Sequence, residues 1–308
     1  MNATTERIEA VPESKLINPD PFCEVRLQQI EHKGKLTDKF MIEIMDAKTG
    51  EFVELPGVST VHSDNYHLVP NKQVHDLALG VIDQIGMPFE PIKSFNGGHS
   101  KPMYWNTKRF SEKWYSPTVS FKEPQGESQM MLGMEVTNSY DGSSKVGLAF
   151  FAIRLACSNQ FYSNHLLGTP FEFSHLCGDG DIQQDILGAT QELQDTAANF
   201  GRLAPSMKLL ADTHVTSFQD FLTLRRELQA GTGTEFRDKQ ILNELTGCGI
   251  TKECGINSTY EDPSSFWSIA NAYTAVTTHG IDGPRGSDIS GRVVDFMVAR
   301  AKALSVLR

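Results

Sequence analysis

No apolar run in this chain approaches the roughly 18 residues that a membrane-crossing helix needs. The opening residues, "MNATTERIEAVPESKLINPDPF", lack a basic start followed by an apolar stretch, so export is not expected and residues 1–21 read as a flexible polar arm. Cysteine is sparse. Cys23, Cys157, Cys177, Cys248 and Cys254 are odd in number and irregular in spacing, which suits free thiols in a reducing cytoplasm better than a disulfide framework. Also missing are a phosphate-binding Gly-Lys-Ser/Thr loop, a dinucleotide Gly-x-Gly-x-x-Gly turn, a Gly-x-Ser-x-Gly elbow and a His-Glu-x-x-His helix. Their absence removes the commonest ATPase, dehydrogenase, hydrolase and zinc-protease readings, and no cofactor or metal is expected. Positive charge is in short supply as well. With 28 Lys and Arg against 38 Asp and Glu, the net charge of −10 argues against coating nucleic acid with the whole surface.

What charge there is segregates. Residues 101–123 carry five basic and two acidic side chains, whereas residues 155–201 carry six acidic and none basic. Within the first of these, "KPMYWNTKRFSEKWYSP" interleaves Tyr104, Trp105, Phe110, Trp114 and Tyr115 with Lys101, Lys108, Arg109 and Lys113. Rings that stack on bases, next to cations that follow phosphates, suit single-stranded nucleic acid. Aromatics are equally good strand residues, and alternate ones would then face a core.

The hydropathy pattern predicts an α+β fold, with an antiparallel β-rich half (22–160) packed against a mainly helical half (182–308) in one domain, 22–308. Strands are expected at 24–32, 39–47, 51–54, 58–62, 66–69, 89–95, 102–110, 115–122, 128–138 and 145–157. Asp141-Gly142 signals a two-residue hairpin turn between the last two. Helical spacing predicts helices at 71–86, 182–200, 206–228, 237–246, 264–279 and 287–307.

Three stretches carry a resemblance: 58–78, then 135–161 with 171–186, then 265–307. They hold Tyr66, Pro70 and Asn71; Asp141 and Gly142; Arg154, Cys157, Ser158 and Asn159; His175; and Trp267, Asn271, Ala272, Thr274 and His279. In this order they resemble the phage/plasmid-like family of uncharacterised proteins found on bacteriophages, plasmids and prophages. The family's basic residue before the histidine is Ser174 here, and Leu176 follows it in place of threonine. The resemblance implies a mobile element in a bacterial cytoplasm and leaves the chemistry open.

"HLCGDGD" gathers His175, Cys177, Asp179 and Asp181 near His165, a mixed donor set that selects no single metal and is explained as a turn capping the next helix. Cys157 with His165 or His175 lacks any local signature of a cysteine hydrolase. The leading expectation is a non-enzymatic, oligomeric single-stranded DNA-binding or annealing protein whose strand groove includes Lys101, Tyr104, Trp105, Lys108, Arg109, Lys113 and Trp114. The alternatives are a structural phage protein that meets an acidic protein partner, and a metal-dependent nuclease using His175, Asp179 and Asp181.

Overall fold

A computed structural model describes residues 20–55, 62–92, 103–105, 108–126, 128–154, 159–168, 170–173, 175, 182–236, 238–247, 262–280 and 284–306. Cys23 is a free thiol, and the other four cysteines lie outside these residues. The fold is α+β, with antiparallel sheets in the N-terminal half and helices in the C-terminal half. No helix of the described residues is long and apolar enough to cross a membrane.

The smaller sheet holds β1 (Val25–His32), β2 (Lys35–Met45), β3 (Phe52–Glu54) and β4 (His62–Ser63), with β3 and β4 both on β2. β2 begins four residues earlier than the alternation suggests. Lys33 at φ 53° and Gly34 at φ 75° form a tight turn with two left-handed residues, and this lets Lys35 pair at once with His32. After β4 comes α1 (Asn71–Ile85), which buries Val74, Ala78 and Val81 and stops at Gly86 in the left-handed region, as its spacing predicts. Residues 66–69, expected as a strand, are irregular.

The larger sheet runs β10-β9-β8-β7-β5, all antiparallel: β5 (Glu90–Pro91), β7 (Arg109–Lys122), β8 (Gln129–Ser139), β9 (Val146–Arg154) and β10 (Gln160–Tyr162). Two short strands share its borders, β6 (Met103–Trp105) on β7 and β11 (Phe171–Phe173) on β9. β7 is continuous where two strands were expected. Its ladder shifts register between Tyr115 and Ser120, around Pro117, which has no N–H to donate.

Side-chain alternation divides this sheet into two faces. Phe110 and Trp114, with Met130, Leu132, Met134 and Val136 and with Leu148, Phe150 and Ala152, form the main core. The helices that contribute to it include α1, α4 (Leu203–Asp212), α5 (Phe218–Thr232), α7 (Phe266–Gly280) and α8 (Pro284–Val306). Between α1 and α4 in the chain are the one-turn α2 (Asn164–Leu167) and α3 (Ile182–Asn199), and α6 (Asp238–Leu245) follows α5. On the opposite face Tyr115, Phe151, Ile153, Tyr162 and Ile92 make a smaller cluster.

The helix expected over 206–228 is two helices. Between α4 and α5 the run Thr213-His214-Val215-Thr216-Ser217 leaves helical geometry: His214 bridges to Ser265 as an isolated strand pair, and Ser217 caps α5 by accepting from the Asp220 amide at 3.1 Å. A β-branched run with a strong cap explains the break better than the apolar spacing allowed.

The β8–β9 connection is longer than a two-residue turn. The Ser139 hydroxyl closes it, donating to Ser144 O at 2.7 Å and accepting from Ser144 N at 3.0 Å, while Asp141 Oδ1 accepts from Ser143 N at 2.9 Å. Gly142 takes φ 68° at the tip. Two glycines in this region should respond to alanine for different reasons. A Cβ on Gly133 would sit 2.2 Å from the fully buried Phe151 ring, so Gly133→Ala should cost about 1–3 kcal/mol through overpacking. Gly142→Ala meets open space and should cost about 1–2 kcal/mol through backbone conformation alone. Urea denaturation measures both. Wild-type stability for either variant contradicts the corresponding geometry.

Candidate functional site

The interleaved aromatic and basic stretch divides at the start of β7. Phe110, Trp114 and Tyr115 are buried, with Trp114 only 3% exposed in the main core. Trp114 therefore offers no face to a base in this fold, contrary to its expected place in a strand groove. Lys113 also points inward. Its Nζ donates to Gln160 Oε1 at 2.7 Å and lies 3.4 Å from the buried Glu135 carboxylate. Tyr162 and Ser287 donate to the other oxygen of Glu135 at 2.8 and 2.6 Å. A lysine so engaged neutralises a buried acid and is not a surface phosphate contact. Lys101 lies outside the described residues.

Tyr104, Trp105, Lys108 and Arg109 keep partial exposure at the hairpin end of the sheet. Trp105 meets Tyr140 edge-on at 5.9 Å, Lys108 O accepts from the Tyr140 amide at 2.8 Å, and Arg109 Nε donates to Ser143 Oγ at 2.7 Å. The half of the stretch that can meet a ligand is thus tied to the loop carrying Asp141 and Gly142.

Behind this surface is a buried aromatic stack. The Tyr66 ring lies 3.8 Å from that of His62 and 5.1 Å from that of His175, the latter nearly parallel at 15°. All three residues are only 6% exposed. His175 Nδ1 faces His67 O at 3.1 Å, and the His175 carbonyl in turn accepts from the His67 amide at 2.7 Å. His62 hydrogen-bonds to the Tyr140 backbone. Nε2 of both histidines and the Tyr66 hydroxyl have no hydrogen-bond partner among the described residues. Burial lowers the pKa of both imidazoles and raises that of the Tyr66 phenol, so all three are neutral near pH 7.

Asn71 and Asn138 join this end to α1. Asn138 Nδ2 donates to Val69 O at 2.9 Å and to Asn71 Oδ1 at 2.8 Å, and the Asn71 amide donates to the Tyr140 hydroxyl at 2.9 Å. The motif residues Asn71, Asp141, Gly142 and His175 therefore converge here. Sequence reasoning missed His62, Asn138 and Tyr140 as members of the cluster, although the paired histidines around Tyr66 in "HSDNYH" were a visible signal.

The remaining motif residues meet at the other end of β8 and β9. Arg154 makes a bidentate pair with the buried Glu123, through Nε to Oε2 and Nη2 to Oε1. Asn159 Nδ2 donates to Asn271 O at 3.1 Å, and His279 Nε2 lies 3.1 Å from Asn159 Oδ1. Trp267 stacks on Phe161 at 5.1 Å. These contacts fasten α7 to the sheet. Among the described residues no group of three or more His, Cys, Asp and Glu could hold a metal. Cys157, Cys177, Asp179 and Asp181 lie outside them.

The histidine stack gives stability a pH dependence. Because burial depresses both folded-state pKa values, the unfolded chain binds protons first as pH falls through about 6.5. Stability should be fully present above that pH and decline below it. Glu112, raised by burial against the opposing pull of His75, acts in the other direction, losing stability as pH rises above about 4.5. Comparing His62→Phe and His175→Phe with the wild type isolates the imidazoles. Urea midpoints should fall less between pH 7.5 and pH 5.5 in each variant, and parallel pH profiles would contradict the assignment.

No curated protein and no solved structure matches the chain. The profile described as "Domain of unknown function (DUF932)" matches residues 58–303, from just before β4 to near the end of α8. That span holds both motif clusters and leaves β1, β2 and β3 outside. The chain belongs to the DUF932 family, in keeping with its resemblance to a family of uncharacterised proteins.

Proposed function

We propose that this chain is a non-enzymatic protein that binds single-stranded nucleic acid at the hairpin end of its larger sheet. It would act, as an oligomer, in annealing or protecting strands of a phage or plasmid. One observation carries the reading: Tyr104, Trp105, Lys108 and Arg109 stay partly exposed and adjacent, while Phe110, Lys113, Trp114 and Tyr115 pack inward. Partly exposed rings can stack on bases without sequence preference, and neighbouring cations can follow the phosphates. The Ser143 hydroxyl holds Arg109 in place, and Tyr140 braces Trp105, so the surface is ordered before a strand arrives. The net charge of −10 argues against coating nucleic acid with the whole surface and favours local contacts such as this one.

The two halves of the stretch should separate by mutation. Tyr104→Ala and Trp105→Ala should each weaken oligonucleotide binding by about 1–3 kcal/mol per stacked base and leave the salt slope intact. Lys108→Gln with Arg109→Gln should shallow the slope of log K against log salt by roughly 0.7 per phosphate contact. Trp114→Ala should instead cost about 3–5 kcal/mol of folding stability, as for other buried aromatics. Circular dichroism accompanies each titration. A wild-type protein with no salt-sensitive affinity for any single strand at low ionic strength would overturn the proposal.

A further inference from the structure

The β1–β2 hairpin runs beyond the sheet that it starts. β3 pairs with β2 only at Glu43–Met45, and β4 only at Lys39–Phe40. Residues 29–32 and 35–38 therefore form a two-stranded arm with no third strand among the described residues. Four residues per strand give a reach of about 13 Å.

An unsupported ribbon of two strands is marginal in water. This one is braced along its length. Its turn is the left-handed pair Lys33-Gly34. Where a bulge interrupts the ladder between Gln29 and Glu31, side chains replace the missing bonds: Thr37 Oγ1 donates to Ile30 O at 2.8 Å, and Gln29 Nε2 donates to Thr37 O at 2.6 Å. These two side-chain bonds brace the arm from within.

Its chemistry differs from that of the rest of the surface. The turn from His32 to Lys35 carries no acid, and neither the Lys33 nor the Lys35 side chain has an ion-pair or hydrogen-bond partner among the described residues. Leu36, next to the second lysine, is 66% exposed. Glu31 and Asp38 lie further from the tip, and Lys39 Nζ is 3.6 Å from Asp38. In a protein of net charge −10, this places two cations without a side-chain partner among the described residues, and one apolar side chain, at the tip of the hairpin.

We infer that the β1–β2 arm is a second nucleic-acid contact and that it enters a groove of duplex nucleic acid. A two-stranded ribbon has the width that a major groove admits. Lys33 and Lys35 would reach the flanking phosphates, and Leu36 would lie against sugars or base edges. The arm lies outside residues 58–303, so it is a feature of this chain and not of the matched family region. Its tip residues are distinct from Tyr104–Arg109, so the two contacts can be altered separately.

Fluorescence anisotropy with a blunt duplex oligonucleotide, at several salt concentrations, tests the arm in the full chain. Lys33→Gln with Lys35→Gln should shallow the salt slope by about 1.8, or about 0.9 for each phosphate that the variant leaves unneutralised. Leu36→Ser should weaken duplex binding and leave that slope unchanged. All three positions are exposed, so melting temperatures should match the wild type. A double lysine variant that binds duplex as the wild type does would overturn the inference, as would a wild type without salt-sensitive duplex binding. Loss of single-strand binding in the Tyr104 and Trp105 variants, with duplex binding retained, would support the two contacts as separate. A wild type that binds duplex through the arm and ignores single strands would uphold the arm and sink the single-strand proposal alone.

Discussion

Polar side chains buried on β7, β8 and β9 need partners inside the protein, because both faces of that ladder are covered along most of its length. The constraint explains where the charged residues of these strands go. Glu112 meets His75 of α1 at 2.6 Å, Glu135 meets Lys113, Tyr162 and Ser287, Arg154 meets Glu123, and Asn138 meets Asn71. Glu112 and Asn138 tie the sheet to α1, Ser287 ties it to α8, and the other pairings join its own strands, so the polar contacts orient what the apolar core only attracts. Removing one member of such a pair leaves its partner buried and uncompensated, which typically costs about 3–5 kcal/mol.

The same constraint limits where a ligand can be met. Phe110, Lys113, Trp114 and Tyr115 are engaged inside the ladder, whereas Tyr104, Trp105, Lys108 and Arg109 at its hairpin end stay partly exposed. Asn71, Tyr140 and the stacked His62, Tyr66 and His175 lie behind that end, where they fix the loop that the exposed residues border. The cluster at the far end, around Arg154, Asn159 and Asn271, holds a helix against the sheet. Motif residues of one family thus divide between a surface and a structural fastening.

Much of the architecture was legible in the sequence. The change from period-two to helical spacing separates the strand-rich half from the helical half, α1 ends at its glycine, and the Asp141-Gly142 pair lies at a hairpin tip. The break between α4 and α5 was missed because apolar positions keep helical spacing across it. What decides there is a capping serine and a bridge to Ser265, distant in the chain. The β1–β2 arm is longer than its pattern suggests for a similar reason: Lys35, Thr37 and Asp38 around a single exposed Leu36 give no burial signal, and a two-residue turn pairs them all the same.

Local sterics and the spacing of apolar side chains act within a few residues, so the order of amino acids alone dictates most of the strands and helices. It does not dictate which rings of the 101–117 stretch face solvent. Alternation along β7 permits either face to be buried, and only packing against β8, the helices and the second cluster commits Trp114 to the core and leaves Trp105 near the surface. Nor could it bring His175, distant in the chain, onto Tyr66 and His62. Stacking of that kind depends on the path of the backbone between them, and the backbone path is settled by the whole core.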